Sequence, residues 1–248
     1  MEFPDIIAFN TLKKLGVLLI YALSAAMCCA DITLYTLEIP GLHQKDGQGA
    51  YDKIINQYPG SKKAFTILLV PPARANTLFK SCNNCCISPT NNNPAFYDFG
   101  GHIVQTLAMN TAKIYIFTPR NSPKIKGEVE LLSGKRVGIR RGLPYGKKFE
   151  ATNISPEIVN SLEQNFSKLE LGRLDAVVAY APDAYIMFAD KKIEAYPHDK
   201  NNPLEIHEDA LMCNGVSKNF INSFNAYLEK SKKNGYLKRI LGDAYIAP

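Results

Sequence analysis

Four cysteines form the densest group of residues that could do chemistry. Cys82, Cys85 and Cys86 lie in the segment Cys-Asn-Asn-Cys-Cys, and Cys213 lies far along the chain. A c-type haem site needs His directly after the second Cys of C-x-x-C, and a zinc site needs a second pair of ligands. Cys86 stands where the haem motif needs His, and Cys213 alone does not make a second ligand pair, so the segment predicts no haem and no metal. Disulfides and a redox-active C-x-x-C pair remain as interpretations.

Known catalytic motifs are absent from the sequence. There is no G-x-S-x-G segment, and His207-Glu208 is not followed by the second His of a zinc protease. Gly134-Lys135 lacks the earlier glycine and the following Ser or Thr of a phosphate-binding loop. We therefore predict a non-enzymatic protein with no catalytic residue, no cofactor and no metal. The scattered histidines are expected on the surface or in loops: His43, His102, His198 and His207.

The N-terminus has the pattern of an export signal. Lys13-Lys14 precedes the apolar run from Leu15 to Leu23, and small residues follow as far as Ala30. The run is shorter than the ~20 apolar residues of a membrane span. We predict a signal peptide over residues 1–30, cleaved after Ala30, and a periplasmic mature protein. A retained N-terminal anchor is the alternative.

Composition limits the class of partner. The chain has 248 residues, of which 46% are hydrophobic, enough for a core in one large domain or two small lobes. Its net charge is +6, but Lys and Arg form no long run and alternate with Asp and Glu. This diffuse charge argues against nucleic acid as a partner.

The hydrophobic pattern predicts alternating strands and helices. Strands are expected at 32–37, 65–70, 85–88, 112–118, 136–140, 175–179 and 210–216. Helices are expected at 49–57, at 73–81, from Ser155 to Gly172, and through Phe220, Phe224 and Leu228 as far as Asn234-Gly235. Strands separated by helices predict an α/β fold with a largely parallel sheet. The polar segment 91–102 is the expected long loop beside a cleft.

Several segments together resemble bacterial extracellular solute-binding proteins of family 3, whose members include the amino-acid-binding proteins of ABC transporters. They are PPARANTLF from Pro71, IFTPRNSPKIKGEVELLSGKRVGIRRGLPYG from Ile116, LELGRLDAVVAY from Leu169 and the ending NAYLEKSKKNGYLKRIL. The resemblance implies the two-lobed type II periplasmic-binding-protein fold, each lobe a mostly parallel sheet flanked by helices. Lobe one would hold residues 31–107 plus 210–248, and lobe two residues 108–209. Ligand would bind in the cleft between lobes that close by a hinge motion.

This fold implies candidate ligand contacts where strands end at the cleft. They are Glu38, Arg74, Arg141, Gly142, Tyr145 and Tyr180. Gly142 would let main-chain N–H groups approach an anion, or it is an ordinary turn glycine. Arg74 would reach an anion or pair with an acidic neighbour.

The chain departs from the amino-acid binders at two charged positions. No Thr-x-x-x-Arg pattern for a ligand carboxylate occurs between Pro89 and Thr111, and Tyr180 replaces the Asp that binds the ligand amine. Both departures argue against an α-amino acid ligand, although Lys113, Arg120 or Asp183 could substitute by a different geometry. Aromatic contacts are expected instead from Tyr35, Tyr97, Tyr145 and Tyr180.

The same resemblance implies a disulfide and a choice of partners. The third strand of lobe one would neighbour the strand returning from lobe two, which brings Cys85 or Cys86 near Cys213; we favour Cys86–Cys213. Such a bridge is worth about 4 to 5 kcal/mol in the chain-entropy model. The expected partners are a small-molecule solute and a membrane transporter. A periplasmic sensor or accessory protein with no transported ligand is a second hypothesis, and an enzyme on the same scaffold with Glu38 as acid or base is a third.

Overall fold

The computed structural model describes residues 31–100 and 102–248, which form one compact unit. The predicted signal peptide lies outside these residues. Within them, no helix is both long enough and apolar enough to cross a membrane.

Strands and helices alternate along the described chain, as the sequence predicts. The strands are β1 (Ile32–Leu37), β2 (Phe65–Val70), β3 (Cys85–Thr90), β4 (Ile103–Gln105), β5 (Asn110–Phe117), β6 (Val137–Arg140), β7 (Glu157–Val159), β8 (Ala176–Tyr180) and β9 (Glu205–Asn214). The helices are α1 (Ala50–Asn56), α2 (Ser61–Ala64), α3 (Pro72–Ser81), α4 (Lys147–Glu150), α5 (Leu162–Glu170), α6 (Ala181–Asp190), α7 (Lys218–Lys233) and α8 (Tyr236–Leu241). Short 3-10 turns lie at Val129–Leu132 and Gly242–Ala244.

The described strands join in the order β2-β1-β3-β9-β5-β8-β6-β7, with β4 also paired to β9. Strand β9 changes partner part-way along its length. Residues 210–214 pair with β3, and residues 205–209 pair with β5. We call β1 to β4 with residues 210–214 the first sheet half, and β5 to β8 with residues 205–209 the second sheet half.

Parallel pairing occurs in the outer part of each half, where β1 pairs with β2 and β3, and β6 pairs with β7 and β8. The central strands β5 and β9 are antiparallel to each other and to their other neighbours. These two strands carry the chain from one half to the other and back, so they run in opposite directions.

Each sheet half has its own hydrophobic core. In the first half, β1 packs against helices through Leu34, Ile54, Phe79, Phe224 and Leu237. The second half is covered on both faces: Phe117, Phe166, Val177 and Phe188 fill one core, and Ile114, Val137, Phe149 and Val178 fill the other. Separate cores joined by two strands make a two-lobed α/β architecture.

The helix predicted from Ser155 is wrong in its first turns. Residues Glu157–Val159 form strand β7, and Ile158, expected on the buried helix stripe, is 48% exposed. Helix α5 begins after Ser161, whose Oγ accepts from the N–H of Gln164 in a capping box. Pairing of β7 with β6 and the cap at Ser161 together override the apolar spacing.

The four cysteines of the described chain form two bridges. Cys86 and Cys213 are directly opposite each other in the antiparallel β3–β9 pair, with Cα atoms 4.0 Å apart, and they are bonded. Cys82 and Cys85 form a second bridge at the end of α3, with Cα atoms 6.2 Å apart. The pairing of Cys213, which the sequence leaves open among three partners, is thus to Cys86.

Candidate ligand-binding cleft

A small cavity of about 20 Å³, enough for roughly one water molecule, lies between the two sheet halves. Leu37, Ile39, Leu42 and Pro89 line it from the first half, and Ala112, Leu143, Tyr180, Pro182 and Asp183 line it from the second. Tyr97 from the loop after β3 and His207 and Asp209 from β9 complete the wall. The cavity therefore has the inter-lobe position expected of a ligand site in this architecture.

Asp183 is a buried carboxyl group on the cavity wall. It follows Tyr180, the last residue of β8, and lies in the first turn of α6. The residue is 4% exposed, and its Oδ1 has no hydrogen-bond partner among the described residues. Burial raises the pKa of Asp183 to about 7, although the charge of Arg140 and main-chain N–H groups of α6 act in the opposite direction. Near neutral pH this group takes up or releases a proton readily.

His207 and Asp209 form a second buried polar pair on β9. They are two residues apart, so their side chains lie on the same face of the strand. His207 Nδ1 is 2.9 Å from Asp209 Oδ1, and the Tyr51 hydroxyl donates to Asp209 Oδ2. Both oxygens of Asp209 are therefore engaged. His207 Nε2 is buried with no partner among the described residues.

Burial and the nearby carboxylate also hold the Tyr51 hydroxyl in its protonated form. Its pKa is raised well above the ordinary value, first by burial and then by the negative charge of Asp209. The hydroxyl therefore acts as a donor to Asp209, and the bond fixes that side chain in position.

Aromatic rings surround His207. The ring centroids of Phe96, Tyr97 and Tyr180 lie 4.9, 5.7 and 5.6 Å from the imidazole centroid, each at a steep angle. The first two come from the loop over residues 91–102, which the sequence predicts beside the cleft. These packed rings hold the imidazole in one orientation.

Arg140 joins the two sheet halves at the edge of the cleft. It is the last residue of β6, and its Nη2 donates to the Glu38 carbonyl oxygen at 2.6 Å. Its Nε donates to the Asn160 carbonyl oxygen at 3.2 Å. Nη1 is buried without a partner among the described residues. The guanidinium is therefore held mainly by main-chain oxygens of both halves.

Two of the six sequence-predicted ligand contacts lie in buried or closely packed positions. Tyr180 lines the cavity, and its hydroxyl donates to the Pro144 carbonyl oxygen. Tyr145 is buried behind it, with ring centroids 5.9 Å apart, and its hydroxyl accepts from the Arg140 N–H at 2.8 Å. Tyr145 thus supports the wall without bordering the cavity.

Gly142 marks a close approach of the two halves. Its φ is +80°, and a Cβ at this position would lie 2.5 Å from the Ala73 nitrogen at the start of α3. No other residue could occupy this turn without moving α3.

The other three predicted contacts, Glu38, Arg74 and Arg141, have exposed side chains and do not border the cavity. Glu38 contributes only its carbonyl oxygen to the bond with Arg140. The Nε of Arg141 donates to Asn160 Oδ1 at 3.2 Å. Arg140, one position earlier than the predicted Arg141, points inward because successive side chains of a strand alternate.

Sequence reasoning did not identify His207 and Asp209 as site residues, because it began the last strand at residue 210. The alternation of apolar residues becomes clear only there, and the preceding His-x-Asp segment is polar. The expectation that the histidines lie on the surface or in loops is wrong for His207, which is buried in strand β9. His43 and His198 lie in loops, although both are buried.

A second buried cluster links Ser88, His43 and Asp52. His43 Nε2 is 3.0 Å from Ser88 Oγ, and His43 Nδ1 is 2.6 Å from Asp52 Oδ1. Although burial opposes ionisation of Asp52, the hydrogen bond and charge of His43 lower its pKa. The arrangement has the order of a hydrolase triad, but Ser88 and His43 are 0% exposed and lie outside the cavity wall. These hydrogen bonds hold the loop that contains Leu42 against strand β3.

No group of three His, Cys, Asp or Glu side chains in the described part of the chain has a geometry that could hold a metal ion.

No protein-family model and no curated protein matches the chain. Solved structures do. A mutant of the arginine-binding protein ArgBP from T. maritima aligns with a TM-score of 0.62 and 16% identity, covering 85% of this chain and 93% of that one. The GluR0 ligand-binding core in complex with L-glutamate aligns with a TM-score of 0.66 and 12% identity, covering 85% and 96%. The chain has the type II periplasmic-binding-protein fold.

A third structure with this fold is a histidine kinase sensor domain with similarity to periplasmic binding proteins. It aligns with a TM-score of 0.61 and 14% identity, covering 85% of this chain and 94% of that one. At such identities the likeness is one of fold. That fold is the one that the sequence resemblance implies.

Proposed function

We propose that the protein is an exported receptor that closes around a small polar solute between its lobes, and delivers that solute to an ABC-type transporter. The observation that carries the proposal is the cavity between the sheet halves. Two buried polar atoms with no partner in the described chain belong to residues on its wall, Asp183 Oδ1 and His207 Nε2. Buried polar groups are normally hydrogen-bonded, so these atoms fit a site completed by a bound molecule.

The lobes of the proposed receptor are residues 31–107 plus 210–248 and residues 108–209. In support, β9 changes partner between Asp209 and Ala210, and β5 begins at Asn110. Only β5 and β9 join the two halves of the described sheet, and two connecting segments of this kind suit a hinge motion.

Export to the periplasm is supported by the charged and apolar pattern of residues 1–30. Two disulfides in the described chain are consistent with an oxidising compartment.

A sensory role is the second candidate, and the likeness to a histidine kinase sensor domain favours it over an accessory role without a ligand. A sensor and a transport receptor both close around a ligand, but they differ in the membrane protein that recognises the closed form. Co-purification from membranes with a permease supports transport, and with a kinase supports sensing.

Thermal unfolding in the presence of a library of small solutes tests the binding role. A solute at a hundred times its Kd should stabilise the folded chain by ~2.7 kcal/mol, which raises the Tm by several degrees. The variant Ala112→Phe should lose the shift, because Ala112 lines the cavity and is 1% exposed. Absence of any shift across amines, amino acids, sugars and organic acids would contradict the proposal.

A further inference from the structure

Resting on the proposed receptor function, we propose that the solute is a small apolar primary amine, whose ammonium group binds between Asp183 and His207. This class differs from the α-amino acids, because it carries no carboxylate.

The wall presents hydrogen-bond acceptors to the cavity. His207 Nδ1 faces the carboxylate of Asp209 at 2.9 Å, and a carboxylate engaged in this way accepts the imidazole proton. His207 Nε2 is then left with its lone pair. Asp183 Oδ1 is the other acceptor without a partner in the described chain. Two acceptors require a ligand that supplies at least two N–H or O–H donors, which a primary ammonium does from one atom.

Charge on the wall favours a cation. Asp183 and Asp209 both line the cavity, and no Lys or Arg is among the described residues that line it. Arg140 is the cation that acts on Asp183. Its Nε and Nη2 bind main-chain oxygens of Asn160 and Glu38, its Nη1 is buried without a partner among the described residues, and the residue does not line the cavity. A ligand carboxylate would therefore meet acceptors on this wall and no lining cation.

The rest of the wall is hydrocarbon and aromatic. It consists of Leu37, Ile39, Leu42, Pro89, Ala112, Leu143 and Pro182, with the rings of Tyr97 and Tyr180. Such a surface suits the alkyl or aryl part of the ligand. The cavity is only about 20 Å³ as the lobes stand, so the lobes must move apart to admit the solute, which favours a short chain or a single ring.

Binding should weaken in acid, because an ammonium ion pairs with ionised Asp183. The titratable and charged groups that act on it or share its wall come from several elements: Arg140 on β6, Tyr145 after β6, Tyr180 on β8, His207 and Asp209 on β9, Tyr97 in its loop and Tyr51 on α1. With a pKa of about 7 for Asp183, affinity should fall roughly 30-fold between pH 8 and pH 5.5 if this carboxyl alone sets it.

The test uses pairs of probes that differ only in the carboxylate. Isopentylamine is compared with leucine, and phenethylamine with phenylalanine, by thermal unfolding and calorimetric titration at pH 8 and pH 5.5. We expect the amine of at least one pair to bind, to bind at least tenfold more tightly than its amino acid, and to bind more weakly at pH 5.5. Asp183→Asn should abolish amine binding, whereas Asp190→Asn should not, since Asp190 is an exposed residue on the same helix.

Tighter binding of the amino acid in both pairs, or equal amine binding by the Asp183→Asn variant, would overturn the amine assignment and leave the receptor function standing. Binding of a sugar or an organic acid in the wider library, with none of the amines, would do the same. No binding by any solute would overturn both.

Discussion

At the scale of single residues, Asp183 determines how the cleft responds to pH. A buried carboxyl group with one oxygen left without a partner in the described chain is costly when ionised, so folding makes it hold its proton more tightly. The pKa of about 7 in the folded chain compares with an ordinary value of 3.8. Between these two values, the folded state carries a proton that the unfolded state has released. The stability of the folded chain therefore falls as pH rises through this window.

Replacing Asp183 with Asn should remove this pH dependence. The variant should match the wild type near pH 4 and be more stable above pH 7. The upper limit of the difference is roughly 4 kcal/mol, since one pH unit corresponds to about 1.4 kcal/mol. Urea unfolding at pH 4.5 and pH 8 measures it, and Asp190→Asn provides the control. A constant difference at both pH values would show that Asp183 does not titrate in this way.

Elements differ in how well their sequences specify them. Strands β1 and β2 have the bounds that their apolar patterns predict, because each has a regular run ended by Pro or Gly nearby. Strand β7 was not predicted, because its three residues have no period of their own and form a strand only by pairing with β6. The polar end of β9 was missed for a related reason: its pairing with β5 extends it five residues beyond its apolar part.

The sequence predicted where the candidate site lies, between the lobes at the strand ends, better than it predicted which residues line it. The ends of β1, β6 and β8 were located to within one residue, and Tyr180, expected just after β8, is its last residue and lines the cavity. Whether Arg140 or Arg141 faces inward depends on the exact register of a four-residue strand. Asp183 was named only as a possible substitute, since its burial depends on how the first turn of α6 packs against the opposite lobe.

Two disulfides at one end of β3 should contribute unequally to stability. The Cys86–Cys213 bridge joins residues 127 positions apart, and the Cys82–Cys85 bridge joins residues 3 positions apart. In the chain-entropy model, losing the long bridge costs about 5 kcal/mol and losing the short one roughly 2 kcal/mol. Urea unfolding of the Cys86→Ala/Cys213→Ala and Cys82→Ala/Cys85→Ala pairs measures both. Equal losses would mean that loop length does not set the contributions.

At the scale of the whole molecule, the two lobes are joined by strands β5 and β9 and are also in contact beside the cleft. These contacts include the bond from Arg140 to the Glu38 carbonyl oxygen, the approach of Gly142 to Ala73, and the packing of Ile186 on α6 against the core of the first lobe. A solute that binds residues of both lobes can therefore shift the balance between open and closed forms.

The most direct test is the distance between the lobes in solution. Spin labels at Lys80 on α3 and Lys148 on α4, both exposed and one in each lobe, would replace side chains outside the cavity wall. The four cysteines of the described chain are in disulfides, so a protein expressed from residue 31 takes the label only at introduced cysteines. We predict that a saturating solute which raises the Tm shifts a broad distance distribution to a single shorter distance. An identical distribution with and without that solute would contradict closure of the lobes around it.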